Sequence, residues 1–245
     1  MLPLRDANPT RRTPVLTLGL VAVNVAVYAY QFSRPDNGNP SDSQQAIACK
    51  FGVVPEALLH SGRAVDSCVD LNDHMSPILS LLSSQFLHAS WLHLGGNMLF
   101  LWIFGNNIED RLGRVRFLPF YLIGGVAAGL TQSAITPHST APLIGASGAI
   151  AAVLGGYLIL YPKARIWTLI GWIPLRLPAF LVIGAWIVLQ VFYLAGQSAG
   201  GDNVAYMAHV GGFVAGMALI KLFSIGRAEP PPPPMFPNQA VTNLA

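Results

Sequence analysis

Four polar residues stand inside apolar stretches of this sequence, where a side chain must either find a partner or take part in chemistry: His93, Asn97, Ser147 and His209. An isolated serine hydroxyl is a poor nucleophile, but a neutral imidazole hydrogen-bonded to it can take its proton as it attacks a carbonyl. Ser147 is expected at the start of a helix, where unpaired backbone N–H groups and the helix dipole favour a developing negative charge. His93 and Asn97, four residues apart, share one helix face and can donate further hydrogen bonds to the same oxyanion. Together these groups suit acyl transfer through a serine. Taken singly, each has a plainer reading: a serine cap, a histidine in a proton relay or at a metal, an asparagine bonded to the next helix. What joins them is depth, because each lies within about six residues, or about 9 Å, of its expected helix start.

The elements that must position them follow from composition. The chain has 245 residues, 53% hydrophobic and 10% charged, with a mean hydropathy of +0.50. Soluble domains carry about 25% charged residues, so an ordinary soluble enzyme, a nucleic-acid binder and a disordered chain are all excluded. Six stretches approach the roughly 20 apolar residues that cross a bilayer as a helix: Val15–Phe32, Leu94–Ile108, Phe117–Ile135, Gly145–Tyr161, Leu177–Ala195 and Val204–Phe223. The first follows Arg11 and Arg12 without a convincing cleavage site, and reads as an uncleaved anchor. The fold class expected is an all-α polytopic membrane protein. Placing both termini in the cytoplasm puts Arg5, Arg11, Arg12, Arg111, Arg114, Arg116, Lys163, Arg165, Arg176, Lys221 and Arg227 inside, and only Arg34, Lys50 and Arg63 outside. The positive-inside rule supports that topology, so the net charge of +3 is an asymmetry across a membrane.

Three regions result: a cytoplasmic segment 1–14, a membrane domain 15–223 with a long outer loop 33–92, and a proline-rich tail 224–245 expected to be disordered. The outer loop holds Cys49 and Cys68, which either form a disulfide worth ~3 kcal/mol or remain two unpaired thiols. Its last part, around Pro77–Leu82, has an interfacial, amphipathic look. Small residues explain how the polar groups could meet. Gly148, Ala152 and Gly156 form one stripe and Ala208, Gly212 and Gly216 another, and such stripes let helix backbones approach closely in lipid. Packing one on the other brings Ser147 towards His209. His60, His74, His88 and His138 fall in or near outer loops and are assigned no chemistry; no HExxH or Cys/His cluster signals a metal, and no cofactor is expected.

Gly145-Ala146-Ser147-Gly148 resembles the GxSG motif of rhomboid intramembrane serine proteases. Ala208-His209-Val210-Gly211-Gly212, with Gly216, is similar to their AHxxGxxxG motif, and His93-Leu94-Gly95-Gly96-Asn97 to their HxxxN motif. Glu109 followed by Gly113 matches the pattern at that span's inner end. The motifs stand in the family's order. The resemblance implies a six-helix rhomboid-like bundle with a catalytic dyad of Ser147 and His209. It implies an oxyanion hole from the Ser147 N–H, His93 and Asn97, and packing support from Gly145, Gly148, Gly212 and Gly216. The substrates implied are single-pass transmembrane proteins cut within or beside their helix. Because an intact helix presents no accessible scissile carbonyl, those with Gly, Pro or polar residues near the cut are expected to unwind most easily.

Two departures stand out. Ala151 occupies the position, four residues after the nucleophile, where some members place an aromatic ring against the catalytic imidazole. The first outer loop lacks a Trp-Arg pair and has only Trp91 after Ser90. The rival readings are a catalytically inactive relative that binds transmembrane helices and a small proton-coupled transporter or channel. The expected partners are membrane-protein substrates and lipids, with no nucleic acid and an unidentified partner, if any, for the tail. The expected location is a bacterial cytoplasmic membrane, since no transit-like presequence is recognisable.

Overall fold

The computed structural model describes residues 1–34, 44–60, 68, 75–196 and 205–227. The tail from residue 228 onward, and the parts of the outer loop at 35–43, 61–67 and 69–74, lie outside the described residues.

Each apolar stretch becomes a helix. The elements in order are β1 (Leu2–Asp6), α1 (Val15–Phe32), α2 (Gln44–Phe51), α3 (Pro55–Leu59), α4 (Pro77–Ser83), α5 (Trp91–Phe100), a π-helical turn (Leu101–Gly105), α6 (Asn106–Leu112), α7 (Arg114–Ile135), α8 (Ser147–Leu160), β2 (Arg165–Ile170), β3 (Ile173–Pro178), α9 (Ala179–Gly196) and α10 (Tyr206–Phe223). By length and composition α1, α7 and α10 can cross a bilayer, while α8 and the apolar part of α9 are shorter. The exterior is the apolar side: Leu18, Val23, Val25, Phe180, Leu181, Val188, Phe192 and Val214 are exposed. On α1 the buried positions Thr17, Leu20, Asn24, Tyr28 and Gln31 recur at helical spacing, and three of them are polar. That is a soluble helix turned inside out, and it marks an integral membrane protein.

The expectation of an all-α chain is corrected. A three-stranded antiparallel sheet in the order β1-β2-β3 closes one end of the molecule. The segment 165–178 alternates buried and exposed positions along β2 and turns at Gly171, so it forms a hairpin instead of a plain loop. The helix expected from Leu177 therefore starts at Ala179 as α9, because Leu177 and Pro178 complete β3. Within the 1–14 segment, Leu2–Asp6 supplies the third strand.

The core lies where α8 is enclosed by α7 and α10. From Gly148 to Tyr157 every residue of α8 is buried. Glycines set the closeness. A Cβ on Gly212 would run into the carbonyl oxygen of Gly148, one on Gly216 into that of Ala152, and one on Gly155 into that of Phe213. The expected contact of stripe on stripe is thus seen, except that Gly156 faces Phe120 and Ile220. At 14 residues, α8 is about 21 Å long against about 33 Å for the 22 residues of α7. The connection between them must therefore fold back into the bundle to reach the start of α8.

Candidate functional site

Ser147 opens α8. The chain enters it through Gly145, whose φ of +130° is strained for any residue with a side chain. A Cβ there would also lie 3.0 Å from His93 Nε2 and 3.7 Å from Ser147 Oγ. Gly145 thus lets an imidazole and a hydroxyl share one small space. It differs in this from Gly148, Gly212 and Gly216, which bring helices together.

His209, on the first turn of α10, places Nε2 2.8 Å from Ser147 Oγ. Its other nitrogen, Nδ1, lies 2.7 Å from Gln190 Oε1 on α9. An amide oxygen only accepts, so Nδ1 carries the proton and Nε2 is left to accept from the serine hydroxyl. Trp186, one turn before Gln190, lies tilted against the imidazole at 5.7 Å, and Tyr206 meets it edge-on at 6.5 Å. The ring missing at Ala151 is therefore replaced by contacts from α9 and from the start of α10, and Ala151 itself is buried in the core.

On the other side, Ser90 caps α5, its hydroxyl accepting from the His93 N–H at 3.1 Å. The Ala89 N–H points at His93 Nδ1 from 3.5 Å, and His93 Nε2 has no hydrogen-bond partner among the described residues. Asn97 is buried, and its Nδ2 lies 3.0 Å from His88 Nε2. Burial lowers the His88 pKa to about 4, so the neutral ring can accept the Asn97 amide hydrogen. His88 is fixed in turn by Gln31, which accepts from its backbone N–H at 3.1 Å and donates to its carbonyl at 3.4 Å. Its ring stands edge-on to that of His93 at 5.1 Å. The structure thus brings Ser147, His209 and His93 together directly, and ties Asn97 to them through His88. A cavity beside Ser147 is lined largely by small residues, including Gly125, Ala128, Gly129, Gly148 and Ala205.

The family model for the rhomboid domain matches residues 76–225. The chain belongs to the rhomboid family. Among its relatives, the yeast "Rhomboid protein 1, mitochondrial" is 32% identical over 152 residues, covering 59% of this chain and 42% of that protein. The Arabidopsis thaliana "Rhomboid-like protein 11, chloroplastic" is 30% identical over 153 residues, 58% of this chain and 51% of the relative. The human "Presenilin-associated rhomboid-like protein, mitochondrial" is 30% identical over 139 residues, 56% of this rhomboid and 36% of the relative. The matches span about half or less of these curated relatives. Their names place them in mitochondria and chloroplasts, which lends no support to a bacterial cytoplasmic membrane.

Sequence reasoning missed two members of the site. Gln190 was legible as a polar residue inside a span, one turn after Trp186. His88 carries no such signal, since it precedes α5 and only the fold turns it inward.

Proposed function

We propose that this rhomboid is an intramembrane serine endopeptidase. The observation that carries the reading is the chain Gln190 Oε1, His209, Ser147 Oγ, with both links under 3 Å. The serine oxygen attacks the scissile carbonyl carbon as its proton passes to His209 Nε2. Gln190 accepts from Nδ1–H throughout, holding the ring in register and stabilising the imidazolium by its carbonyl dipole. Negative charge then grows on the former carbonyl oxygen. The Ser147 N–H, in the first helical turn, has no intrahelical acceptor and is available to it. His93 Nε2–H and the second hydrogen of the Asn97 amide complete the donors. His209 next gives its proton to the departing amine, and water hydrolyses the ester by the same steps in reverse order of roles.

Six spans with both termini cytoplasmic fit the charge distribution. The Cys49–Cys68 disulfide adds support. Its α2 segment belongs to the Ser147 end, where Val53 pairs with Leu143 and the Gly145 N–H bonds Ser84 O, and disulfides persist in oxidising compartments. The substrates proposed are single-pass transmembrane proteins, cleaved near the end of the helix on that side. The small-residue cavity beside Ser147 favours a small side chain next to the cut. Replacing helix-breaking residues near the cut by Leu should slow cleavage; equal rates would count against the unwinding requirement.

The deciding experiment is labelling with a fluorophosphonate probe in membranes, together with cleavage of a model transmembrane substrate. Wild type should label and cut; Ser147→Ala should do neither, and His209→Ala should lose about four orders of magnitude in rate. A folded wild type that does neither points to the helix-binding relative instead.

A further inference from the structure

Away from the Ser147 site, the described residues include a cluster of metal-ligating side chains from segments distant in sequence. Glu56 lies on α3, His60 caps its C-terminus, and His138 stands in the connection from α7 to α8. A single carboxylate oxygen, Glu56 Oε2, lies 3.2 Å from His60 Nδ1 and 3.1 Å from His138 Nδ1. The three ligand atoms all lie within 4.8 Å of one another. The two imidazole rings are stacked, with centroids 4.8 Å apart and planes 15° from parallel.

Two neutral imidazoles can each donate an Nδ1–H to the one carboxylate oxygen, so hydrogen bonds account for the pairings one by one. They do not require that ligand groups from separate segments converge. A dication at the point of convergence satisfies all three groups at once, taking a lone pair from each neutral imidazole and one from the carboxylate. The two carboxylate–imidazole separations, 3.2 and 3.1 Å, approach the edge of about 3.3 Å expected between ligands of a tetrahedral ion with bonds of about 2.0–2.1 Å, and the three atoms, within 4.8 Å of one another, draw together around the ion on binding. Two nitrogens and one oxygen suit a borderline ion such as Zn²⁺ and not Mg²⁺ or Ca²⁺, which take oxygen shells.

The backbone beneath the cluster is already braced. Val53 and Leu143 exchange hydrogen bonds of 3.0 and 2.7 Å, and the Glu56 N–H donates to Ser139 O at 3.1 Å. The side chains of Glu56, His60 and His138 are 16%, 38% and 78% exposed. The site is therefore open enough for water to complete the shell and for ions to exchange. The sequence gives no zinc motif because the third ligand comes from a different connection.

We propose that Glu56, His60 and His138 bind one Zn²⁺-class ion, which staples the α1–α5 connection to the strand of chain that leads through Leu143 and Gly145 into Ser147. This site is separate from the dyad, and its test does not depend on peptidase activity. The full chain, stripped of metal in detergent, is titrated with Zn²⁺ by calorimetry, and with Co²⁺ while its visible d–d absorption is followed. One equivalent of Zn²⁺ should bind, raise the unfolding temperature and displace Co²⁺ together with its bands. His138→Ala and Glu56→Gln should each weaken binding by about tenfold or more. Both should keep wild-type circular dichroism and metal-free fluorophosphonate labelling. A wild type without a Co²⁺ spectrum overturns the proposal. So does Zn²⁺ binding that is unchanged in His138→Ala and lost in His93→Ala, which would move the ion to the histidines beside Ser147.

Discussion

The two ends of the bundle hold two polar clusters that differ in how fully their groups are paired. At one end the Glu109 carboxylate is saturated: it accepts from the Leu16 N–H at 3.0 Å, the Thr17 N–H at 2.7 Å and the Thr17 hydroxyl at 2.8 Å, closing the first turn of α1. Asp110 accepts from the Arg11 and Arg12 N–H groups, Asp6 from Tyr157 and Asn107, and Arg116 donates to the carbonyls of Phe223, which ends α10, and Ile225 just after it. At the other end valences are left open. His93 Nε2 and the buried His88 Nδ1 have no partner among the described residues, and the missing Cβ of Gly145 leaves room for the His93 ring beside Ser147. A buried polar group in an apolar chain is therefore not by itself a sign of chemistry. Nor is an unpaired one, since the Tyr121 and Ser224 hydroxyls also lack a partner among the described residues; an open valence points to chemistry only beside Ser147.

This contrast can be broken by exchanging the two kinds of effect. Asn97→Ala should lower kcat by about 10²–10³-fold, as expected for loss of one oxyanion donor, while leaving the unfolding midpoint nearly unchanged. His88→Ala should reproduce a smaller part of that loss, in kcat and not in KM, because it removes only the group that orients Asn97. A large fall in stability with normal kcat would turn these residues into struts like Glu109. The Glu109→Ala variant should show the reverse, losing about 2–4 kcal/mol of stability through its orphaned donors, with full labelling per folded molecule. Gln190→Ala should slow turnover by about tenfold, and Gln190→Glu should restore much of the rate with an altered pH profile. An unaltered profile would make Gln190 a packing residue.

The smallest effect concerns Asp6. Burial raises its pKa to about 6, against the hydrogen bonds of Tyr157 and Asn107 that pull it down. The folded protein therefore holds this proton more tightly than the unfolded chain. The stability it supplies is complete below the ordinary value of 3.8 and is lost as pH rises towards 6. Asp6→Asn should flatten thermal stability across that window, by about 1–2 kcal/mol. A slope that survives the substitution would assign it to another group.

Much of this was readable in the sequence because the bilayer imposes simple rules. Apolar length located the helices, and glycine spacing on α8 and α10 located the contact that brings Ser147 to His209. The hairpin escaped notice because Arg165, Arg176 and the prolines of β3 make the segment read as a charged connection between two apolar stretches, too short and irregular for alternation to stand out. Gln190 was visible and passed over, its role depending on how α9 leans on α10. His88 was not visible at all: its partners are Gln31 and Asn97, from α1 and α5, and that meeting exists only in the folded chain.

The π-helical turn at Leu101–Gly105 has a meaning best put in terms of phase. One helical rod must show Asn97 to the open end and Glu109 to the closed end, and the direction in which each points is fixed by the winding between them. In an uninterrupted α-helix those directions are locked together at 100° per residue. Five residues wound more widely reset the angle midway, as a spliced joint lets two lengths of shaft be keyed separately. The Asn97 end of this rod can then be re-aimed without turning the Glu109 anchor, so the two ends are free to change independently.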